Sequence, residues 1–312
     1  MRVLLAGATG VIGRELLPLL RSNGHHVTVM VRDTCASPPA DDVVVADIVD
    51  TAAVSSAVCM ARPEVIVNQV TSLRPEPGDT RWEVAERNAQ VLTEGAANLV
   101  AAARAAGVRR IVTQSMARVT APIGGPLLDE DAPLYLDAPD ALWETAVRAV
   151  SVAERIVLGQ TTIEAVVLRY GLLYGANTQY DINGANGLAV RLGRLPLVGP
   201  GTGISSFLHV RDAAEAAALA VDATATGVFN VVDDDPVAAN VWLPHYAAVM
   251  GGPQPKRVPL DLGVRLLGWV SAYQQTRLRG ASNRKAREQL GWRPTISSWR
   301  GGRQNSLVGA TR

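Results

Sequence analysis

Residues 1–14 read MRVLLAGATGVIGR, and this segment restricts the fold more than any other. A short apolar run, Val3–Ala6, meets glycines at 7, 10 and 13 and then a stretch with helical periodicity. Gly7 permits the tight turn, Gly10 lets the backbone approach a ligand, and Gly13 lets the helix lie close to the strand. The amides around Thr9, Gly10, Val11 and Ile12 then point outward at a helix N-terminus, where they suit a pyrophosphate. The spacing predicts a strand, a phosphate loop and a helix that together hold a dinucleotide. Pro18 falls inside that helix and is expected to cost the bond to the Arg14 carbonyl and kink it.

The pattern continues down the chain. Val27–Val31, Val43–Ala46, Val65–Asn68, Ile111–Gln114 and Ala165–Leu168 are short apolar runs of the kind that suit strands covered on both faces. Helix-period segments lie between them, notably Ala85–Ala106 before Gly107 and Leu142–Leu158 before Gly159, each glycine a helix-end signal. Alternation of this kind predicts an α/β fold with a doubly wound parallel Rossmann sheet. After Leu168 the texture changes: residues 175–204 are rich in Gly, Asn and Pro, and a helix (Ala213–Asp222) and a strand (Val228–Val232) follow. Residues 1–170 are therefore expected to form the dinucleotide domain. Residues 171–312 would form a smaller, partly interleaved C-terminal substrate lobe, with residues near 205–232 packing back on the first domain. The last ten residues are expected to be mobile.

Charge and cysteine content exclude several classes. A formal charge of +1 gives no footprint for nucleic acid or an anionic membrane. Cys35 and Cys59 cannot build a disulfide framework, and no Cys/His cluster has metal-ligand spacing, so no metal is expected. The N-terminus does not resemble a leader, and no apolar run approaches a bilayer span; Leu262–Val270 is short and holds Arg265. A cytoplasmic protein acting on a small-molecule substrate is the expectation.

The end of the second strand selects the cofactor. An acid there accepts from the ribose 2′-OH of NAD, whereas an arginine accommodates the 2′-phosphate of NADP. Arg32 follows the strand His26–Val31 and favours NADP(H), while Asp33 beside it leaves NAD(H) open. Asp47, followed by Ile48, ends the third strand where an acid can meet the adenine amino group; an Asp capping the next helix is the alternative.

These residues resemble those of the extended short-chain dehydrogenase/reductases of the NAD-dependent epimerase/dehydratase family. The resemblance runs through Gly7–Gly13, Val67-Asn68-Gln69, Asp129-Glu130-Asp131-Ala132-Pro133, Leu168-Arg169-Tyr170-Gly171 and Tyr174-Gly175. It continues in Phe207-Leu208-His209-Val210-Arg211-Asp212, Phe229-Asn230-Val231 and Asn283–Pro294. It implies that Asn68, Gln69 and Tyr170 join the cofactor site, that His209 holds the small lobe together, and that two copies pair through 85–106 and 142–158.

The resemblance breaks at the chemistry. The family uses a Ser or Thr after the fifth strand and a Tyr-x-x-x-Lys on the next helix, the tyrosine serving as proton donor or acceptor. Aligned on Glu154, these positions fall on Met116, Ala146 and Val150, and the segment 142–158 holds neither Tyr nor Lys. Replacement donors would be Tyr174, Tyr135, Ser115 or Ser72, with Tyr170 and Thr71 as further hydroxyls. Leu172 and Ser205 stand where nucleotide-sugar members carry Asn and Arg, which favours a less charged substrate of secondary-metabolite type. The leading expectation is an NADP(H)-dependent oxidoreductase acting on a carbonyl or alcohol with a non-standard proton donor. The alternatives are a non-redox isomerase, dehydratase or cyclase, and an inactive dinucleotide-sensing protein.

Overall fold

The strand–loop–helix unit expected at the N-terminus is present in the computed structural model, which describes residues 1–34 and 38–300. It consists of β1 (Arg2–Ala6) and α1 (Val11–Ser22). With β2 (His26–Val31), β3 (Asp42–Val45), β4 (Val65–Asn68), β5 (Arg110–Met116) and the strands Glu164–Tyr170 and Gly227–Val231, β1 forms a seven-stranded sheet. Its order is 227–231, 164–170, β5, β4, β1, β2, β3. β1 pairs in parallel with both β2 and β4, and the β2–β3 and β4–β5 pairs are parallel as well. The chain thus winds outward from β1 in one direction, then returns to β4 and winds the other way. This is the doubly wound Rossmann arrangement, whose switch point lies beside β1.

The helices start and stop for local reasons. Asp50 caps α2 (Thr51–Ala61) by accepting from the amides of Ala52 and Ala53. Thr80 and Glu83 form a reciprocal capping box that starts α3 (Arg81–Ala106) four residues before the apolar period begins. Gly107 ends α3 in the left-handed region at φ +68°. Gly159, after α4 (Ala141–Leu158), has φ −72°; it is needed for space, because a Cβ there would stand 2.9 Å from the Arg155 carbonyl oxygen. Pro18 does not interrupt α1: it is exposed, so water can serve the Arg14 carbonyl that loses its partner.

One expectation needs correction. β3 is not covered on both faces; it is the edge strand, with Val43 41% and Val45 54% exposed. An apolar run alone does not distinguish an edge from a centre, because the number of neighbours is a property of the sheet.

Two compact units can be separated. The first comprises Met1–Met116, Leu136–Arg169 and Ala213–Phe229; the second comprises Ala117–Tyr135, Tyr170–Asp212 and the chain from Asn230 onward. The core of the first is built from aliphatic residues such as Leu4, Met30, Val54, Ile66, Leu99 and Ile111. Arg110, fully buried at the start of β5, donates to Glu164 and to the carbonyls of Ala220 and Ala225, stapling three segments of that unit.

The second unit has an aromatic core of Tyr174, Phe207, Trp242, Tyr246 and Trp299. There the strands Leu172–Tyr174 and Phe207–His209 pair in parallel. Asp212 is buried and accepts from the amides of Thr295 and Ile296, while its carbonyl accepts from the Trp292 indole, which fastens the closing segment. Leu262–Val270 is divided by Gly268 between the helices Leu260–Leu267 and Trp269–Thr276. Among the described residues, no helix is long and apolar enough to cross a membrane. Cys59 is free and exposed; Cys35 and the final residues, on which mobility was expected, lie outside the described residues.

Candidate active site

The glycine loop forms a cradle with no room for side chains. Gly7 has φ +88°, and a Cβ on it would lie 2.7 Å from the Gln69 backbone. One on Gly13 would lie 2.2 Å from the Gly7 carbonyl oxygen. Gly10 is the N-cap of α1 and supplies no side-chain bond, and the first turn carries no acid. The amides that begin α1 are therefore left to an outside acceptor, at the positive end of the helix. This cradle fits a dinucleotide pyrophosphate. Thr9 is exposed on the loop, its carbonyl taking the Arg14 Nε at 2.9 Å, whereas Ile12 is buried.

The adenine end was expected at Arg32, Asp47 and Ile48. Arg32 is exposed just past β2, and no hydrogen bond or ion pair among the described residues holds it. Asp47 is exposed and accepts from the Val49 amide at 3.2 Å; the helix cap is Asp50, not Asp47. Ile48 is buried against Gly95 of α3, so its side chain serves the core.

At the other end of the cradle, the tips of β4 and β5 are tied together. Asn68 donates to the Thr113 hydroxyl at 3.3 Å and accepts from the Val70 amide, and Gln114 donates to the Val70 carbonyl at 3.3 Å. Gln69 is buried beside Gly7. Thr113 and Gln114 had no motif of their own; their role follows from pairing across 45 and 44 residues.

The register of α4 is fixed by a buried trio in which Glu154 accepts from the Ser115 hydroxyl at 2.7 Å and from Arg169 at 2.9 and 2.7 Å. The Ser115 hydroxyl is thereby engaged by Glu154. Ala146 and Val150 precede Glu154 by eight and four residues, along the same helical row. The alignment inferred from Glu154 therefore places apolar side chains where the family keeps its Tyr and Lys. All six tyrosines and both lysines lie in the second unit, so the first has neither.

The remaining hydroxyls are distributed. Ser72 accepts from Arg87 Nε at 3.0 Å, and its amide donates to Asn88. Arg87 also pairs with Asp79 at 2.7 Å, which holds that carboxyl below its usual range. Tyr174 is 2% exposed and stands edge-on to Phe207 and His209, a packing position rather than an open one. His209 Nδ1 accepts from the Arg211 amide, and its ring fills the space beside Gly175. Tyr135 is buried against Trp269 and Tyr273, Tyr170 is buried at its strand end, and Thr71 is exposed. Among the described residues no group of His, Cys, Asp and Glu could hold a metal.

The family model for the NAD dependent epimerase/dehydratase family matches residues 3–231, which includes the cradle, the trio and the substituted positions. The chain belongs to the NAD dependent epimerase/dehydratase family. A Streptomyces protein named 3-diazoavenalumate denitrifying reductase is 53% identical to it over 302 residues, 97% of this chain and 99% of the relative. The dTDP-4-dehydrorhamnose reductase of Streptomyces griseus is 33% identical over 175 residues, 56% of this chain and 51% of that one. The fold is shared with a human epimerase family protein crystallised with NADPH, at TM-score 0.76 and 21% identity, covering 99% of this chain and 100% of that one. It is shared also with UDP-glucose 4-epimerase of Thermotoga maritima crystallised with UDP-glucose, at TM-score 0.75 and 19% identity, covering 98% and 97%.

Proposed function

We propose that this family member is a nicotinamide-dependent reductase that replaces the diazonium group of a small organic acid by hydrogen and releases N2. The observation that carries the reading is a complete dinucleotide cradle beside an emptied proton relay, at Met116, Ala146 and Val150. Its similarity to a relative named as a denitrifying reductase of a diazo compound supports it. When bound, the reduced nicotinamide supplies a hydride.

Reduction of a carbonyl leaves an oxyanion that must gain a proton, which is the task of the family's tyrosine. Replacement of a diazonium group by hydrogen leaves none. The incoming electron pair forms the C–H bond, and the C–N bonding pair departs with N2, so atoms and charge balance without a protein acid. The loss of Tyr and Lys is then a consequence of the reaction, and no substitute among Tyr174, Tyr135, Ser115 and Ser72 is required.

The residues of the chain have three tasks under this reading. The amides of Val11 and Ile12 bind the pyrophosphate, and Asn68 and Gln114 hold the β4 and β5 tips in place. Met116, Ala146 and Val150 offer no proton and exclude water, which would otherwise capture a diazonium carbon. Arg32 receives the 2′-phosphate and sets a preference for NADPH over NADH.

The test is incubation with 4-deuterated NADPH and a diazotised aminoaryl carboxylic acid. The expected result is equimolar loss of NADPH and release of N2, with deuterium at the former diazo carbon. Oxidation of NADPH with carbonyl substrates alone would overturn the reading in favour of an ordinary carbonyl reductase. Product without net NADPH loss would overturn it in favour of a non-redox enzyme.

A further inference from the structure

One face of the sheet in the first unit packs into an aliphatic core through Leu4, Met30, Val44 and Ile66. Thr28 departs from that pattern. It lies between His26 and Met30 on the same face of β2, level with Leu4 on β1 and Asp42 on β3, and is only 4% exposed. Its hydroxyl has no hydrogen-bond partner among the described residues, and it borders a cavity of about 490 Å³. A buried hydroxyl without a partner is destabilising, and valine would fill the position without that loss.

Arg62, on the same cavity, is a second departure. It ends α2 in the left-handed region at φ +43°, where glycine is at ease and an arginine is strained. A cation suits a helix C-terminus anywhere in the last turn, so the dipole does not require arginine at this one position. The Arg62 carbonyl accepts from Arg2 Nε at 2.6 Å, but no hydrogen bond or ion pair among the described residues holds its exposed guanidinium. The neighbouring charges are matched. His26 Nε2 lies 2.5 Å from an Asp42 carboxylate oxygen, and Arg2 stands 3.9 Å from Glu64 while its amide donates to that carboxylate at 2.8 Å. One positive charge is left over, and the exposed Met60 adds apolar surface next to it.

We propose that this cavity binds a small organic carboxylate with an apolar body: Arg62 and Thr28 hold the carboxylate, and Met60 meets the body. The strands that border it run away from it to the cradle, β1 ending at Gly7 and β2 at Arg32, so the site is separate from the candidate active site. It goes beyond the proposed reaction and does not depend on it. A monoanion answers the single unmatched charge, whereas a dianion would also meet Asp42 and Glu64. The volume falls in the range of about 300–1,000 Å³ usual for small-molecule sites.

Methionine methyl signals test the site, because Met60 borders the cavity while Met116 stands at the family's hydroxyl position. NMR titration of the full chain with phenylacetate, with or without NADPH, should move the Met60 methyl to saturation. Phenylacetamide and inorganic phosphate should each need about tenfold more or higher. Arg62→Gly and Thr28→Val should each raise the phenylacetate needed by about tenfold, with the melting temperature unchanged or higher, because each relieves a local strain or an unserved hydroxyl. A still Met60 signal, or movement of Met116 alone, would overturn the proposal. So would unchanged saturation in both variants, or a fall in melting temperature for Thr28→Val, which would show its hydroxyl to be structural. Equal response to acid and amide would remove the charge from the argument, and equal response to phosphate would overturn the ligand class.

Discussion

Arg169 and Glu154 face each other in the buried interior of the first unit, joined by two bonds of 2.9 and 2.7 Å, with the Ser115 hydroxyl on the same carboxylate. This pair docks α4 onto the sheet and fixes where Ala146 and Val150 lie. Glu154→Ala would leave a buried guanidinium without its counter-charge and should cost about 3–5 kcal/mol of stability by urea unfolding. Ser115→Ala removes one bond and should cost about 1 kcal/mol. Because Ser115 donates to Glu154, that variant should keep turnover within about twofold; loss of turnover by three orders of magnitude would make Ser115 the proton donor.

Arg32→Ala should weaken NADPH far more than NADH in calorimetric titration. Removal of a bidentate guanidinium–phosphate contact is worth about 2 kcal/mol, roughly thirtyfold in Kd. Equal loss for both nucleotides would show that Arg32 does not meet the 2′-phosphate.

The double variant Ala146→Tyr, Val150→Lys rebuilds the family's proton relay on the row that leads to Glu154. If the reaction needs no protein acid, this variant should release N2 no faster than wild type. Wild-type kcat should also show no pH limb attributable to a relay tyrosine. A gain of about tenfold or more on rebuilding would show that a proton transfer limits the native reaction.

Gly13→Ala should abolish dinucleotide binding and lower the melting temperature. The added methyl would stand 2.2 Å from the Gly7 carbonyl oxygen, so either the loop or α1 must move. Gly24→Ala, where nothing lies within 4 Å but φ is +80°, should cost about 1 kcal/mol and leave binding unchanged.

Asp233 supplies a pH dependence. Burial pushes its carboxyl up to about 8 from 3.8, against the opposing bonds from the Asp235 and Trp299 amides. The folded protein therefore keeps a proton that the unfolded chain releases. The stabilisation is complete below the unfolded value, falls as pH rises toward about 8, and is then exhausted. Asp233→Asn cannot ionise and keeps an acceptor, so its melting temperature should gain on wild type between about pH 5 and pH 8. A pH-independent difference would refute the shift.

Much of the site is legible in the chain itself. The glycine spacing at 7, 10 and 13 predicts the cradle, although only Gly13 excludes a Cβ for a local reason, the Gly7 carbonyl, whereas Gly7 is confined by the distant Gln69 backbone. β4 falls at Val65–Asn68, where its apolar run lies. The position of Glu154 likewise predicts the empty relay, since helical spacing converts a sequence offset into a shared face. Other features leave no local trace. Thr80 and Glu83 lengthen α3 through a cap rather than through its apolar period.

Arg32, Met116, Ala146 and Val150 were determined by residue type at known offsets along strands and helices. Only the tertiary structure decided that β3 is an edge, that Ser115 is engaged by Glu154, and that Tyr174 is packed away. Arg110 shows the reason most directly: its partners at 220 and 225 are more than a hundred residues away, and no pattern in a window of a few turns encodes a contact that exists only once the chain has closed on itself.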